Sequence, residues 1–390
     1  MVASRLSGLL CDVVPCCCFE SGFTGRIQVF RPTIKDVNVN SKRGLKHYLI
    51  LKRTTMVKVK NFIGMDVSKK TFDVALIKNM NRGIIIYAKF ENNREGLRQF
   101  TKWLAKEGVV IDQSTVVCME HTGIYNYSIL EYLLKTSLLV WLEMALQIKQ
   151  SLGIQRGKSD KLDATRIAKY AYKEREDMKI WKPVSKIIEC LKLLMAQRDR
   201  MVNSLTRLTV PVEELKSVGQ SEEARMLEKL QRSAILQIEK AIKKIEGQIQ
   251  IKLKEDPRIY QLYQYADSVC GIGEVIATKL IVYTHGFTRL TDHKQMATYC
   301  GVAPFEHTSG TSVKKRSRTH HMANMNLKSV LSMGAKSAIN YDPEIKLYAA
   351  RKAAEGKTYA WIKTAVSNKL LKRVLSCVNN QKMYVKKQAA

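Results

Sequence analysis

The feature that most constrains this chain is the order of its apolar runs between residues 61 and 174. Three strand-like segments follow in quick succession, NFIGMDVS, TFDVALIKN and GIIIYAKFEN, joined by short polar turns that suit antiparallel neighbours. NREGLRQFTKWLAKEG then carries Leu97, Phe100, Trp103 and Leu104 at helical spacing and stops at Gly108. STVVCMEHT reads as a short apolar strand, IYNYSILEYLLKTS as a helix, LLVWLEM as a buried strand and KSDKLDATRIAKYAYKE as a further helix.

The order βββαβαβα predicts an α/β unit of the ribonuclease H-like kind, a mixed sheet covered by helices on both faces. Such a core demands an acid on the first strand, a second at the end of the fourth, and more on a late helix. Asp66 follows FIGM, Glu120 closes VVCME, and Asp160 and Asp163 stand three residues apart on one face of a helical first turn. Acids in a first turn also cap free amides and complement the helix dipole, which is the competing reading of the last two. Asp73, inside the second strand, and Glu143, near the end of the fifth, rank as lesser candidates. Four carboxylates held together repel one another and call for divalent cations; oxygen ligands suit Mg2+ or Mn2+. Two such ions stabilise the attacking and leaving oxygens of an in-line phosphoryl displacement, with Asp66 as the central ligand.

The charge points to a polyanionic partner: 66 Lys and Arg against 35 Asp and Glu give a formal net charge of +31. A membrane surface is the rival polyanion, but no run of about 18 apolar residues is present, so nucleic acid is favoured. Four of the nine cysteines, Cys11, Cys16, Cys17 and Cys18, crowd the start; Cys118, Cys190, Cys270, Cys300 and Cys377 are scattered, without a CxxC pair or zinc spacing. That usage predicts reduced thiols in a cytoplasmic protein, the isolated five lying in the core.

Residues 1–55 lack a clean pattern, and MVKVKNFIGMDVSKKTFDVALI makes Met56 the expected natural start, with 1–55 a non-native or disordered extension. Residues 56–180 form the expected catalytic domain. Residues 181–257 form a helical connector with two apolar seams. The first uses Ile187, Leu191, Leu194, Met201, Leu205 and Leu208 and is closed by Pro211; the second uses Leu227, Leu230, Ala234, Ile238, Ile242, Ile245 and Ile249. They suit an antiparallel hairpin or a dimer coiled coil. Residues 258–390 open with SVCGIGEVIATKLIVYT, where Gly271 and Gly273 make a tight turn before an apolar helix, like the phosphate-backbone grip of a helix-hairpin-helix element. GVAPFEHTSGTSVKKRSRTHHMANMNLKSVL follows, a hydroxyl-rich Gly loop and a basic run that enters a helix.

FIGMDVSKKTFDVA, VVCMEHTGIY, KSDKLDATRIAKYA, GIGEVIATKL, YCGVAPFEHTSG and GKTYAWIKTAVSNKLLKRVL, taken in order, resemble the insertion-sequence transposases of the one-ten family over roughly residues 57–380. The resemblance implies a DEDD-type recombinase with a RuvC-like catalytic domain, a central coiled coil and a mainly helical C-terminal transposase domain, guided by a non-coding RNA. The DEDD acids fall on Asp66, Glu120, Asp160 and Asp163. The family's covalent nucleophile falls on Ser309 in HTSG, with GVAP in place of the usual GL-P. From chemistry alone Ser309 is a turn residue beside Gly310, and Thr308 and Ser312 are neighbouring hydroxyls. A serine hydroxyl attacks only once a base or metal lowers its proton affinity. Lys314, Lys315, Arg316 and Arg318 would then contact phosphate or RNA, with His320 and His321 as bystanders. The implied partners are donor and target DNA, a guide RNA and further copies of the chain, as a dimer or tetramer, with no membrane. Two other functions compete: a RuvC-like structure-specific nuclease whose nucleophile is water, and a non-enzymatic nucleic-acid scaffold.

Overall fold

The computed structural model describes residues 59–78, 84–121, 123–153, 156–157, 159–309 and 313–386; the expected extension, 1–55, lies outside the described residues. The chain divides into two compact units between Trp181 and Lys182, each described by itself.

The first unit is built on five strands: β1 (Asn61–Val67), β2 (Thr71–Lys78), β3 (Ile85–Glu91), β4 (Thr115–Glu120) and β5 (Leu139–Glu143). Their order is β3-β2-β1-β4-β5, with β1–β2 and β2–β3 antiparallel and β1–β4 and β4–β5 parallel. Few residues separate β1 from β2 and β2 from β3, which suits an antiparallel meander, whereas the parallel pairs need helical crossovers. These are α1 (Arg94–Lys106), capped by Asn93, and α2 (Tyr127–Leu133), entered through a 3-10 turn at Gly123–Asn126. The helix expected over 124–137 is thus shorter and starts tighter. A short helix not foreseen in the sequence, α3 (Ala145–Ser151), leads towards α4 (Asp160–Lys173).

Strand alternation sorts the sheet into two faces. Ile63, Met65, Val67, Val74, Leu76, Val117 and Met119 pack with Leu97, Phe100 and Ile129 under α1 and α2. Phe62, Ala75, Ile77, Val116, Cys118 and Trp141 pack with Ala164, Ile167, Ala168 and Ala171 under α4. On β1 this second face also carries Gly64. A Cβ on Gly64 would overlap the backbone oxygen of Ala164 and the nitrogen of Ala168, and stand 2.8 Å from the Ala168 Cα. The helix backbone therefore lies directly on the strand, and only glycine leaves room for it.

In the second unit α5 (Lys186–Ser217) and α6 (Ser221–Lys254) pack along their length. Arg198 pairs with Glu246 at 2.8 Å, and Lys216 with Glu228, so the pairing steps in opposite directions along the two helices. Of the two arrangements the sequence allowed, the chain forms the antiparallel hairpin. Two details of the expected seams are corrected. Pro211 lies inside α5 and does not end it, for Val212 is buried beyond it and the helix runs on to Ser217. On α6 Leu230 is 73% exposed and Ala234 is exposed too. The less exposed positions there are instead Ala224, Leu227, Gln231, Ile235 and Ile238, spaced three or four residues apart.

The root of this hairpin, at Ile188, Leu191, Met195, Ile249 and Leu253, shares one core with the remaining helices. These are α7 (Pro257–Asp267), α8 (Glu274–Thr284), α9 (His293–Tyr299), α10 (Met325–Tyr341), α11 (Pro343–Ala354) and α12 (Tyr359–Asn380). Between α9 and α10 the expected loop is in fact a two-stranded hairpin, β6 (Phe305–Ser309) and β7 (Val313–Arg318). Of the five isolated cysteines expected in the core, Cys118, Cys300 and Cys377 are buried, while Cys190 and Cys270 are half-buried. Among the described residues no helix is long and apolar enough to cross a membrane.

Gly64→Ala is expected to destabilise the protein by about 1–3 kcal/mol through overpacking, read as a lower thermal midpoint. Gly247→Ala on α6, where a new Cβ meets nothing within 4 Å, serves as the control. It should gain about 0.5–1 kcal/mol.

Candidate active site

The face of the sheet that Gly64 opens to α4 is also the face on which the acids lie. Asp66 is two residues beyond Gly64 on β1, and Glu120 two beyond Cys118 on β4, so both point to the α4 side at the C-terminal ends of parallel strands. Asp160 and Asp163 open α4, whose N-terminus is capped by Ser159 accepting from the Leu162 amide at 3.3 Å. The buried stripe of α4, Ala164, Ile167, Ala168 and Ala171, continues the helical face of Asp160. Asn126, buried, donates to the Glu120 carbonyl at 2.7 Å and fixes the end of β4.

The electrostatics show that these acids feel one another. Asp66 is pushed up to about 6 by burial first, then by the negative charges of Asp163, Glu120, Asp160 and Asp73. Glu120 is raised as well, by burial and by Asp163. Capping and proximity are compatible: the first-turn acids sit at a helix N-terminus and still repel Asp66 on the strand face that the helix covers.

Two cations hold the helix acids. Arg166 donates to Asp163 at 2.7 Å, and its other nitrogen reaches the carbonyls of Arg156 and Gly157 at 3.0 and 2.9 Å, closing the loop ahead of α4. Lys89, on β3, stands 3.5 Å from Asp160 and 3.5 Å from Asp73. Asp73, ranked low in the sequence, pairs with Asp66 in the β1–β2 register, is buried, and accepts a hydrogen bond from the Tyr87 hydroxyl. Burial and that bond to Asp73 push Tyr87 up to about 12, so it stays a donor. Sequence reasoning missed Tyr87, Lys89 and Arg166. Strand parity held the signal for two of them, because Tyr87 and Lys89 alternate with Ile86 and Phe90, which pack on the opposite face. Glu143, the other rival, accepts from the Tyr170 hydroxyl at 3.1 Å.

Among the described residues no three Asp, Glu, His or Cys side chains are gathered closely enough to grip a metal ion. The chemistry of the donor set nevertheless fits a hard divalent cation: the acids are all oxygen donors, and Asp66 and Glu120 carry raised proton affinities that a cation would relieve.

In the second unit Ser309 ends β6 and faces Val313 across the hairpin register, with Thr308 opposite Lys314. Ser312 lies outside the described residues, as do the side chains of Thr308, Ser309, Lys314, Lys315 and Arg316. Arg318, at the other end of β7, is exposed, and the His320 and His321 rings stand 4.3 Å apart just beyond it. The Gly271 turn has a structural cause. Its φ is +90°, and the Gly334 carbonyl of α10 lies 2.5 Å from where a Cβ would sit. Gly273, the cap of α8, has open space around it, though Asp267 and Glu274 put two acids nearby.

Two stretches of the chain match family models of known proteins. Residues 63–215 match a family model described as "Transposase", and residues 263–350 match one described as "Transposase IS116/IS110/IS902 family". The "Pilin gene-inverting protein" of Moraxella bovis is 27% identical over 317 residues, 80% of this chain and 94% of the relative. That of Moraxella lacunata matches to the same extent. The "Insertion element IS110 uncharacterized 43.6 kDa protein" of Streptomyces coelicolor is 28% identical over 127 residues, 33% of this chain and 30% of the relative.

The charge on Asp66 yields a stability prediction with a definite sign. Its folded proton affinity, about 6, lies above its ordinary value of 3.8, so ionised Asp66 opposes folding above pH 6. In metal-free buffer Asp66→Asn should therefore melt higher than the parent at pH 7.5. The gain should shrink as pH falls from about 6 towards 3.8, where the parent's own carboxyl becomes protonated in both states. Thermal melts across that range provide the measurement.

Proposed function

The chain belongs to the IS116/IS110/IS902 family of transposases, and from that premise we propose that it cuts and rejoins DNA by metal-assisted serine attack, directed by a guide RNA. The observation that supports the catalytic part is that Asp66 and Glu120 point to the α4 side of the sheet while Asp160 and Asp163 open α4; burial first, and the charges of these acids and Asp73 after it, push Asp66 up to about 6. The topology β3-β2-β1-β4-β5 supports reading that unit as RuvC-like.

In this reading Asp66, Glu120, Asp160 and Asp163 would hold Mg2+ or Mn2+, which would polarise the scissile phosphate towards attack by a hydroxyl. Ser309 supplies that hydroxyl and takes the cut strand as a phosphoserine ester, conserving the phosphodiester energy so that rejoining needs no high-energy cofactor. Lys314, Lys315, Arg316 and Arg318 neutralise phosphates, and Gly273, where the backbone is open, offers a further phosphate contact. The net charge of +31 suits a complex holding donor DNA, target DNA and RNA together. The two Moraxella relatives are named for inverting a pilin gene. Inversion, like transposition, is DNA cleavage followed by rejoining, and several strand cuts call for a dimer or tetramer of this chain.

The test is recombination in cells carrying the gene in its native flanks, beside cleavage by the purified ribonucleoprotein. Asp66→Asn and Asp163→Asn should each reduce both by at least about a hundredfold. Ser309→Ala should abolish recombination and the covalent protein–DNA adduct. Cleavage that survives Ser309→Ala would identify a nuclease using water, and full recombination by Asp66→Asn would reduce the acids to structural caps.

A further inference from the structure

We propose that Lys89 is a resident counter-ion of the acid site: its ammonium occupies the place beside Asp160 that a divalent cation takes over, and, once displaced, it meets the substrate phosphate while still tethered to Asp73. The inference rests on the metal-binding reading of Asp66, Glu120, Asp160 and Asp163.

Lys89 lies on the same face of the sheet as these acids, with its Nζ equally far, 3.5 Å, from Asp73 and Asp160. The two partners are physically unlike. The Asp73 side chain is 4% exposed and held by the Tyr87 hydroxyl. A buried carboxylate cannot give up a cationic partner without bearing its own desolvation. The Asp160 side chain is 65% exposed, and an ion pair that open to water holds its members only weakly. Asp160 would therefore be the partner that Lys89 yields to a divalent cation, while Lys89 keeps its Asp73 tether.

The released ammonium is suited to a second task. Lys89 is 46% exposed, and an ammonium has three donors, so those not spent on Asp73 are open to a ligand. Lys161 stands 5.2 Å from the Tyr87 ring centre, adding positive charge beside the tether. A site walled by carboxylates repels a phosphodiester, and a lysine freed at its rim offsets that repulsion when the strand arrives.

This arrangement has a signature that a merely structural lysine lacks: removing the charge improves metal binding and impairs catalysis together. Mn2+ alone is titrated onto the full-length protein, with free Mn2+ read by electron paramagnetic resonance, and cleavage is then measured at saturating Mn2+. Lys89→Gln, which keeps a hydrogen-bonding partner for Asp73 but no charge, should bind Mn2+ about tenfold more tightly. Its saturated cleavage should be about tenfold or more slower. Lys89→Arg should return both towards the parent values. If Lys89→Gln melts below the assay temperature, Lys89→Met carries the same expectation. Unchanged or weaker Mn2+ binding by the uncharged variant, or an unchanged saturated rate, overturns the role of Lys89 alone. Failure of the parent protein to bind Mn2+ overturns the metal reading and this inference with it.

Discussion

The contact on which the first unit depends is that of α4 with β1 at Gly64. Backbone meets backbone there, with Ala164 and Ala168 on the helix and no side chain on the strand. A side chain at Gly64 would lift the helix away, and the first-turn acids with it. Because Asp66 follows Gly64 by two residues, the packing that seats the helix also sets the separation of Asp66 from Asp160 and Asp163. The hydrophobic face and the acid cluster are thus one arrangement, apolar along the helix and charged at its open end.

That open end is held under electrostatic tension. Burial of Asp66 and Glu120 beside other carboxylates is unfavourable for the isolated protein, and it persists because the rest of the sheet is tightly packed around it. The unit offsets part of this cost with its own cations. Arg166 ties Asp163 to the preceding loop, and Lys89 spans a buried and an exposed acid. Stored repulsion of this kind is what gives a carboxylate site its appetite for hard cations.

Much of this could be read from the chain. The five strands, α1 and α4 stand within a few residues of where periodicity put them; Asp66 and Glu120 share the face that strand alternation assigns, and Asp160 and Asp163 open the helix packed on that face. Where the reading fell short, a tertiary neighbour decided. Leu230 and Ala234 fitted an apolar seam at three- and four-residue steps, but they are exposed, and Gln231 and Ile235 are the less exposed positions instead. Pro211 looked like a stop, yet packing beyond it carries the helix on. The stretch after GVAP looked like a loop because Ser, Thr and Gly are turn formers, whereas pairing with the basic strand makes it a hairpin.

The sequence by itself determined the order of elements, the parity of each strand residue and the basic surplus, because these follow from covalent spacing and composition. Only the tertiary structure decided which charges meet. Asp73 changed from a strand-interior acid to a neighbour of the site because the antiparallel register sets it opposite Asp66. Lys89 and Arg166 became its counter-ions through contacts that depend on how two strands and a helix stack, which no one-dimensional spacing encodes. Proton affinity is likewise a property of surroundings: Asp66 is an ordinary aspartate in the chain, and it is raised only where folding strips its water and sets other acids against it.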